Sequence, residues 1–91
     1  MKSDIKFEEN SLHDFNSGLV YYQLISEGLV ERFNDEFWIS IEKLLENPRI
    51  FQMRYLNIRI VQVDKFPFSI HFFIEENTIY VQRVLHNKRE Y

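Results

Sequence analysis

The first half of the chain repeats its apolar residues every three or four positions, which is the spacing of one helix face. The first run begins at Glu9, where Asn10 or Ser11 can cap a helix by accepting a backbone N–H. Its apolar row consists of Leu12, Phe15, Leu19 and Tyr22. The pattern predicts a first helix that ends at a weak break, Ser26-Glu27-Gly28.

A second, amphipathic helix of about 18 residues is predicted between this break and Asn47-Pro48, because the residue before a proline disfavours the α conformation. Its apolar stripe is more regular and consists of Val30, Phe33, Phe37, Ile41 and Leu44, widened by Leu29, Trp38 and Leu45. Charged residues such as Glu31, Arg32 and Lys43 occupy the opposite face. The short connection between the two helices predicts an antiparallel hairpin.

After Pro48 the period falls to two, which is typical of strands. Strands are predicted over residues 2–7, 56–61, 68–75 and 78–86. The turns between the last three are Lys65-Phe66-Pro67 and Glu75-Glu76-Asn77. The element order is β-α-α-β-β-β, an α+β fold in which a helical hairpin packs on a small, mainly antiparallel four-stranded sheet.

Alternation also predicts which side of each strand is buried. In the second strand Ile58 and Ile60 take the buried face, with Leu56 before them, and Arg59 points away from it. The third strand is apolar on both faces through Phe68, Ile70, Phe72 and Phe73. The strand thus carries more apolar side chains than packing between two helices and a four-stranded sheet requires, so we expect an apolar interface on it.

Composition limits the chemistry that the chain can perform. Its 91 residues predict a single domain over 1–91, and nine Phe supply bulky side chains for the core. The absence of cysteine excludes disulfides and thiolate metal sites. His, Asp and Glu lack metal-ligand spacing and there is no glycine-rich phosphate loop, so we expect neither metal nor cofactor.

The start of the chain, MKSDIKFEEN, lacks the apolar segment of a signal peptide, and no apolar run is long enough to cross a bilayer. We therefore expect a cytoplasmic protein with no membrane partner. Net charge is −3 and unevenly spread, since residues 1–50 hold five Lys and Arg against ten Asp and Glu, and residues 51–91 hold six against four. This balance does not indicate a general nucleic-acid binder.

The ordered elements and several local motifs resemble the RelE/ParE superfamily of type II toxin–antitoxin toxins, often described as plasmid stabilisation proteins. The motifs in the sheet are Phe66-Pro67-Phe68-Ser69-Ile70-His71-Phe72, Thr78-Ile79-Tyr80-Val81 and Arg83-Val84-Leu85-His86-Asn87-Lys88-Arg89, with Ile58-Arg59 opening it. Those in the helical hairpin are Asp14, Tyr21-Tyr22, Phe33 and Asn47-Pro48. The resemblance covers nearly the whole chain.

This resemblance implies a RelE/ParE-like fold and an antitoxin partner that neutralises the toxin, with or without further oligomerisation. It leaves the target open, because RelE-type members cleave messenger RNA on the ribosome, whereas ParE-type members poison DNA gyrase. The acidic helices and the scarcity of lysine in residues 51–91 favour the ParE-like alternative. A third alternative is a non-toxic, antitoxin-binding or regulatory module of the same fold.

A metal-free ribonuclease needs a base, an acid and cations for the phosphorane. The side chains able to meet these needs are Arg59, Arg83 and His86, with Arg89 and Tyr91 as further target contacts. Structural explanations also exist: Arg59 suits an ion pair with a neighbouring carboxylate, Arg83 and Arg89 suit ion pairs with Glu75 or Glu76, and His86 suits a hydrogen bond to the tail. The remaining histidines are His13, expected to face solvent, and His71, expected to face a groove or the antitoxin. We expect the antitoxin to contact Phe68, Ile70, Phe72 and Phe73.

Overall fold

A computed structural model describes residues 4–87. The helices are α1 (Glu9–Ile25), α2 (Glu27–Glu46) and a short 3₁₀ helix (Pro48–Ile50). The strands are β1 (Asp4–Phe7), β2 (Met53–Tyr55), β3 (Ile58–Gln62), β4 (Phe68–Glu75) and β5 (Thr78–His86). The fold is α+β, as the pattern of apolar positions predicts.

Over residues 4–87 the sheet has five strands in the order β1-β5-β4-β3-β2. β1 runs parallel to β5, and every other neighbouring pair is antiparallel. The predicted meander therefore forms, but the predicted strand number of four is wrong. The additional strand, β2, has three residues that are all exposed, so it carries no alternation that the sequence pattern can reveal.

The core lies between the two helices and one face of the sheet. From α2 it takes Phe33, Phe37, Ile41 and Leu44, all members of the predicted stripe. From the sheet it takes Val61, Phe68, Ile70, Phe72, Ile79, Val81 and Val84. The N-cap of α2 is Ser26, whose side chain accepts the Leu29 N–H at 3.0 Å, so one residue separates the two helices.

The buried face of α1 differs from the predicted row. Tyr22 is buried and Phe15 and Leu19 pack against the core, but Leu12 is 53% exposed and Ser11 and Gly18 are buried. The predicted cap is also wrong, because α1 begins at Glu9 and the Ser11 hydroxyl donates to the Glu8 carbonyl at 2.7 Å. Small residues allow α1 to approach its neighbours closely, and a hydrophobicity pattern does not detect such contacts.

The helix-facing side of β3 is the opposite of the one predicted. Val61 and Val63 enter the core, while Ile58 and Ile60 lie on the other side of the strand, where Ile58 is also buried. Both faces of β3 carry β-branched residues, so alternation alone cannot choose between them. Leu56 is not part of a strand, but is 90% exposed in the turn between β2 and β3.

None of the helices in residues 4–87 is long and apolar enough to cross a membrane.

Candidate functional site

The second half of β5 forms an open edge of the sheet. β1 pairs only with residues 78–81 of β5, so within the described residues 4–87 no strand lies beside residues 82–86 on that side. The backbone leaves β1 through Glu8, whose N–H donates to the Val81 carbonyl at 2.9 Å, and enters α1 directly. α1 therefore lies along the open edge in place of a strand.

Asp14 of α1 joins the helix to this edge. One carboxylate oxygen accepts the Arg83 Nε–H at 2.7 Å and the Val84 backbone N–H at 3.0 Å, and the other accepts Arg83 Nη2 at 3.0 Å. The Asp14 side chain is only 13% exposed and that of Arg83 is 42% exposed. Arg83 thus forms a bidentate ion pair with Asp14, and not with Glu75 or Glu76.

Burial of Asp14 acts to raise the pKa of its carboxyl, but the hydrogen bonds from Arg83 and Val84 outweigh it, so the pKa lies below its ordinary value of 3.8. The folded state therefore binds this proton less readily than the unfolded state. The resulting stabilisation is complete above about pH 4 and is lost as pH falls through the folded-state pKa.

We predict that the difference in free energy of unfolding between the wild type and Asp14→Asn is constant near neutral pH and shrinks only below about pH 4. Urea unfolding at several pH values measures this difference. Asp35→Asn changes an exposed aspartate of α2 and serves as the control. A difference that already shrinks between pH 7 and pH 5 would contradict the assignment to Asp14.

A groove of about 410 Å³ separates α1 from the open edge of β5. Gly18 and Tyr21 line it from the helix, and Phe68, Leu85 and His86 line it from the sheet. The His86 ring lies edge-on to the Phe68 ring, with centroids 5.0 Å apart. His86 is therefore half-buried in an aromatic contact at the end of β5.

Arg59 is part of a different cluster. Its Nη1 donates to the carbonyl oxygens of Phe51 at 2.7 Å and Arg49 at 3.2 Å, which fixes the chain after the 3₁₀ helix against β3. Its register partner is Phe72, a core residue, so Arg59 starts from the helix-facing side of the sheet. β4 lies between β3 and β5, which puts Arg59 about 10 Å away from the strand that carries Arg83.

The structure does bring together three polar residues on the sheet face that points away from the helices. His71 of β4 is the direct cross-strand partner of Arg83. The Tyr55 hydroxyl and His71 Nδ1 share a hydrogen bond of 2.9 Å. Burial lowers the pKa of His71, and the positive charge of Arg83 lowers it further, so the imidazole is neutral at pH 7.

Sequence reasoning did not find this cluster. Tyr55 lies in the short strand that has no alternation, and alternation shows only that His71 faces away from Ile70 and Phe72. Nothing in their spacing indicates that Tyr55 and His71 meet, because their contact across 16 residues depends on the pairing of β2 with β3 and of β3 with β4. His13 is exposed, as expected.

Two predicted target contacts, Arg89 and Tyr91, lie outside the described residues. The last described residue, Asn87, is held by its N–H to the Pro67 carbonyl at 2.7 Å and by its side-chain amide to Gln62 Oε1 at 2.8 Å.

The predicted apolar interface on β4 is mostly absent from the surface. Phe68, Ile70 and Phe72 are no more than 6% exposed and belong to the core, so the expectation that they form an exposed patch is wrong. Phe73 alone faces away from the helices, where its ring stacks on that of Tyr80 with centroids 5.1 Å apart.

Comparison with known proteins identifies the fold. No protein-family model matches the chain, and no curated protein is significantly similar in sequence. A chain of the solved chromosomal ParDE TA system from P. aeruginosa superposes with a TM-score of 0.81, covering 93% of this chain and 96% of that chain. The chain has a ParE-like fold.

The ParE-like fold confirms the RelE/ParE-like architecture that the resemblance implies. Sequence identity to the P. aeruginosa chain is 15%, so the likeness establishes the fold and carries no residue roles. Within the ParE-like fold the candidate chemistry falls into the Asp14–Arg83 pair at the open edge, the groove beside it, and the Tyr55–His71–Arg83 cluster.

Proposed function

We propose that this chain is the toxin of a type II toxin–antitoxin system, is neutralised by a cognate antitoxin in the cytoplasm, and arrests growth by binding a protein target such as DNA gyrase. The observation that carries the proposal is the ParE-like fold, which extends over nearly the full length of both chains compared. An acidic net charge of −3 agrees with a protein target better than with ribosomal RNA.

The intramolecular hydrogen bonds of Arg59 and Arg83 support the same proposal. Arg83 is paired with a carboxylate and Arg59 is bonded to two carbonyl oxygens, so a phosphodiester would have to displace these partners. A ribonuclease that stabilises a phosphorane instead needs cations directed at the reacting phosphate. Arg59 and Arg83, the two arginines that the sequence suggests as catalytic residues for RNA cleavage, are thus both bonded to other groups of the same chain.

Supercoiling by purified gyrase in the presence of the purified chain tests the target. We expect inhibition that disappears when the cognate antitoxin, encoded by a neighbouring gene, is added. If gyrase keeps its supercoiling activity in this assay while the chain arrests growth in cells, the target is not gyrase. Growth that continues when the chain is expressed alone would favour the non-toxic module.

A RelE-like messenger-RNA endonuclease remains a second candidate because of the Tyr55–His71–Arg83 cluster. When His71 Nδ1–H donates to the Tyr55 oxygen, Nε2 becomes the acceptor that a general base needs, and the lowered pKa keeps it unprotonated. Arg83, the cross-strand partner of His71, supplies a cation on the neighbouring strand, although its guanidinium is bonded to Asp14.

His71→Gln separates the two candidates, with Tyr55→Phe as its partner variant. The proposed function predicts that both variants arrest growth as the wild type does, because neither group performs chemistry. Loss of arrest in both variants, with antitoxin binding retained, would establish the endonuclease. The same comparison applied to His86→Gln and Arg83→Ala tests two of the three catalytic residues suggested by the sequence.

A further inference from the structure

Trp38 and a row of carboxylates share one exposed side of α2. The carboxylates are all exposed and, at about 100° per residue, fall with Trp38 in one sector of about 100° around the helix axis. They belong to Glu27, Glu31, Asp35, Glu42 and Glu46. We call these five residues, together with Trp38, the acidic face of α2.

Trp38 is an exposed aromatic side chain that is nevertheless held in place. It is 42% exposed, and its ring lies edge-on to three other rings at centroid distances of 5.0–5.9 Å, those of Phe7, Phe15 and Phe37. Its Nε1 donates to Asn34 Oδ1 at 3.2 Å. The ring is therefore oriented before any partner arrives, and rigid, partly exposed tryptophans are typical anchors of protein interfaces.

No cation of the described chain, residues 4–87, forms an ion pair with these carboxylates. α1, which packs beside α2, contains neither Lys nor Arg, and the cations of α2, Arg32 and Lys43, lie outside the sector. Glu36 differs, because it projects from the other side of α2 and lies 3.9 Å from Lys65 Nζ.

The arrangement of these carboxylates does not stabilise the isolated chain. Glu27, Glu31 and Asp35 follow one another at intervals of four residues, and like charges at this spacing repel each other on a helix. Glu46 lies at the C-terminal end of α2, where the helix dipole disfavours a negative charge. A cationic partner would relieve this repulsion.

We propose that the acidic face of α2 binds a basic amphipathic helix of another protein. The Lys and Arg side chains of that helix pair with the carboxylates, and its apolar row covers Trp38. The face extends from Glu27 to Glu46, about 28 Å at 1.5 Å per residue, which is the length of about five turns of a partner helix. The proposal adds a binding surface to the proposed function and does not depend on it.

A helix fits these observations better than other ligands do. The side of a helix offers no unpaired main-chain groups, so an extended segment would find no partners for its own peptide groups there, whereas a helix satisfies them internally. The charge repels nucleic acids and anionic membranes. Among the residues that the structure describes, no group of three or more His, Asp or Glu could hold a metal ion.

Trp38 is the only tryptophan of the chain, so its fluorescence reports binding at this face. The probe is a Trp-free helical peptide of about 18 residues with Lys and Leu on one side. We expect it to shift the Trp38 emission to shorter wavelengths and to protect the ring from acrylamide. A peptide of the same composition in scrambled order keeps the charge but not the amphipathic side, and should bind at least about tenfold more weakly.

Equal binding of the two peptides would show attraction by net charge alone and would overturn the proposal. Binding of neither peptide, or binding that leaves the Trp38 emission unchanged, would overturn it as well. Added salt should weaken the Lys-Leu peptide through screening, and an affinity independent of salt would contradict pairing with carboxylates.

Charge-reversal variants locate the surface. Glu31→Lys combined with Glu42→Lys should weaken binding of the Lys-Leu peptide at least about tenfold, without destabilising the chain, because each lysine gains a carboxylate four residues away. Glu75→Lys combined with Glu76→Lys is the matched control, since it changes the net charge equally at the exposed end of β4. It should weaken binding less than about threefold. Equal effects of the two double variants would contradict the location.

Trp38→Leu tests the anchor, with a fluorescent label on the peptide and anisotropy as the readout. Leucine keeps an apolar contact with Phe7 and Phe15, so circular dichroism should show a folded chain, and we expect binding to weaken at least about fivefold. A folded Trp38→Leu that binds as tightly as the wild type would contradict the role of Trp38. The double charge variants test the proposal independently of how this variant folds.

Other occupants give different results. A Trp38 emission that depends on protein concentration without peptide would assign the face to a second copy of the chain. A shift produced by Mg²⁺ or Ca²⁺ alone would assign it to a metal ion, and tighter binding of the matched Glu-Leu peptide would reverse the charge of the partner. Each of these results would overturn the basic helix as the occupant.

Discussion

Replacing Phe33 with alanine should lower the free energy of unfolding by about 3–5 kcal/mol. Phe33 is completely buried, and four aromatic rings surround it at centroid distances of 5.0–5.8 Å. They belong to Phe15, Tyr22, Phe66 and Phe68. Truncation leaves a cavity where α1, α2 and β4 meet, and a chain of this size has few other contacts to compensate.

Urea unfolding followed by circular dichroism measures this loss. Leu24→Ala, which truncates a side chain that is 82% exposed on α1, is the matched control and should cost less than about 0.5 kcal/mol. If Phe33→Ala unfolds at nearly the same urea concentration as the wild type, the core does not lie between the helices and the sheet as described.

Replacing Asp14 with alanine should lower the free energy of unfolding by about 2–3 kcal/mol. The variant loses both hydrogen bonds from Arg83 and leaves the N–H of the buried Val84 without its acceptor. Because Arg83 is 42% exposed, water compensates for much of the lost ion pair. The unsatisfied N–H at the open edge of β5 has no such compensation, so it accounts for a large share of the loss.

A double-mutant cycle with Arg83→Ala separates the two contributions. Asp14→Ala should still cost about 1 kcal/mol in the Arg83→Ala background, because Val84 loses its acceptor there as well. The rest of the loss should appear as coupling between the two residues. Effects that add without coupling would contradict the ion pair, and an Asp14→Ala change without effect in the Arg83→Ala background would contradict the contact with Val84.

The parts of the fold that could be predicted are those with a strong periodic signal. α2 has one apolar stripe, and Phe33, Phe37, Ile41 and Leu44 are buried as the stripe predicts. β4 and β5 alternate clearly over long stretches. In these elements the residues that the apolar pattern assigns to the core are the same ones that the tertiary contacts bury.

Elements whose burial depends on close approach could not be predicted in the same way. Glycine has a low helix propensity, yet a methyl group at Gly18 would lie 3.1 Å from the Phe33 ring. Its lack of a side chain is what lets α1 approach the ring. On β3, Ile60 and Val61 are equally suited to a core, and the choice between them depends on the register with β4.

The polar contacts that define the candidate site join residues distant in sequence. Asp14 and Arg83 are 69 positions apart, and only the position of α1 along the open edge of β5 makes them neighbours. The sequence could identify Arg83 as a residue of interest, but not its partner. Tyr55 and His71 likewise meet only because β2 folds back onto β3.

Growth and transcript 5′ ends, recorded together after the chain is induced alone in a bacterial host, test the proposed function most directly. The account predicts growth arrest, relieved by co-expression of the cognate antitoxin, without new 5′ ends inside translated codons. Cells that carry the empty vector control for the effect of induction itself. Arrest accompanied by new ends within codons, or wild-type growth despite accumulation of the folded chain, would contradict a toxin that acts by binding a protein target.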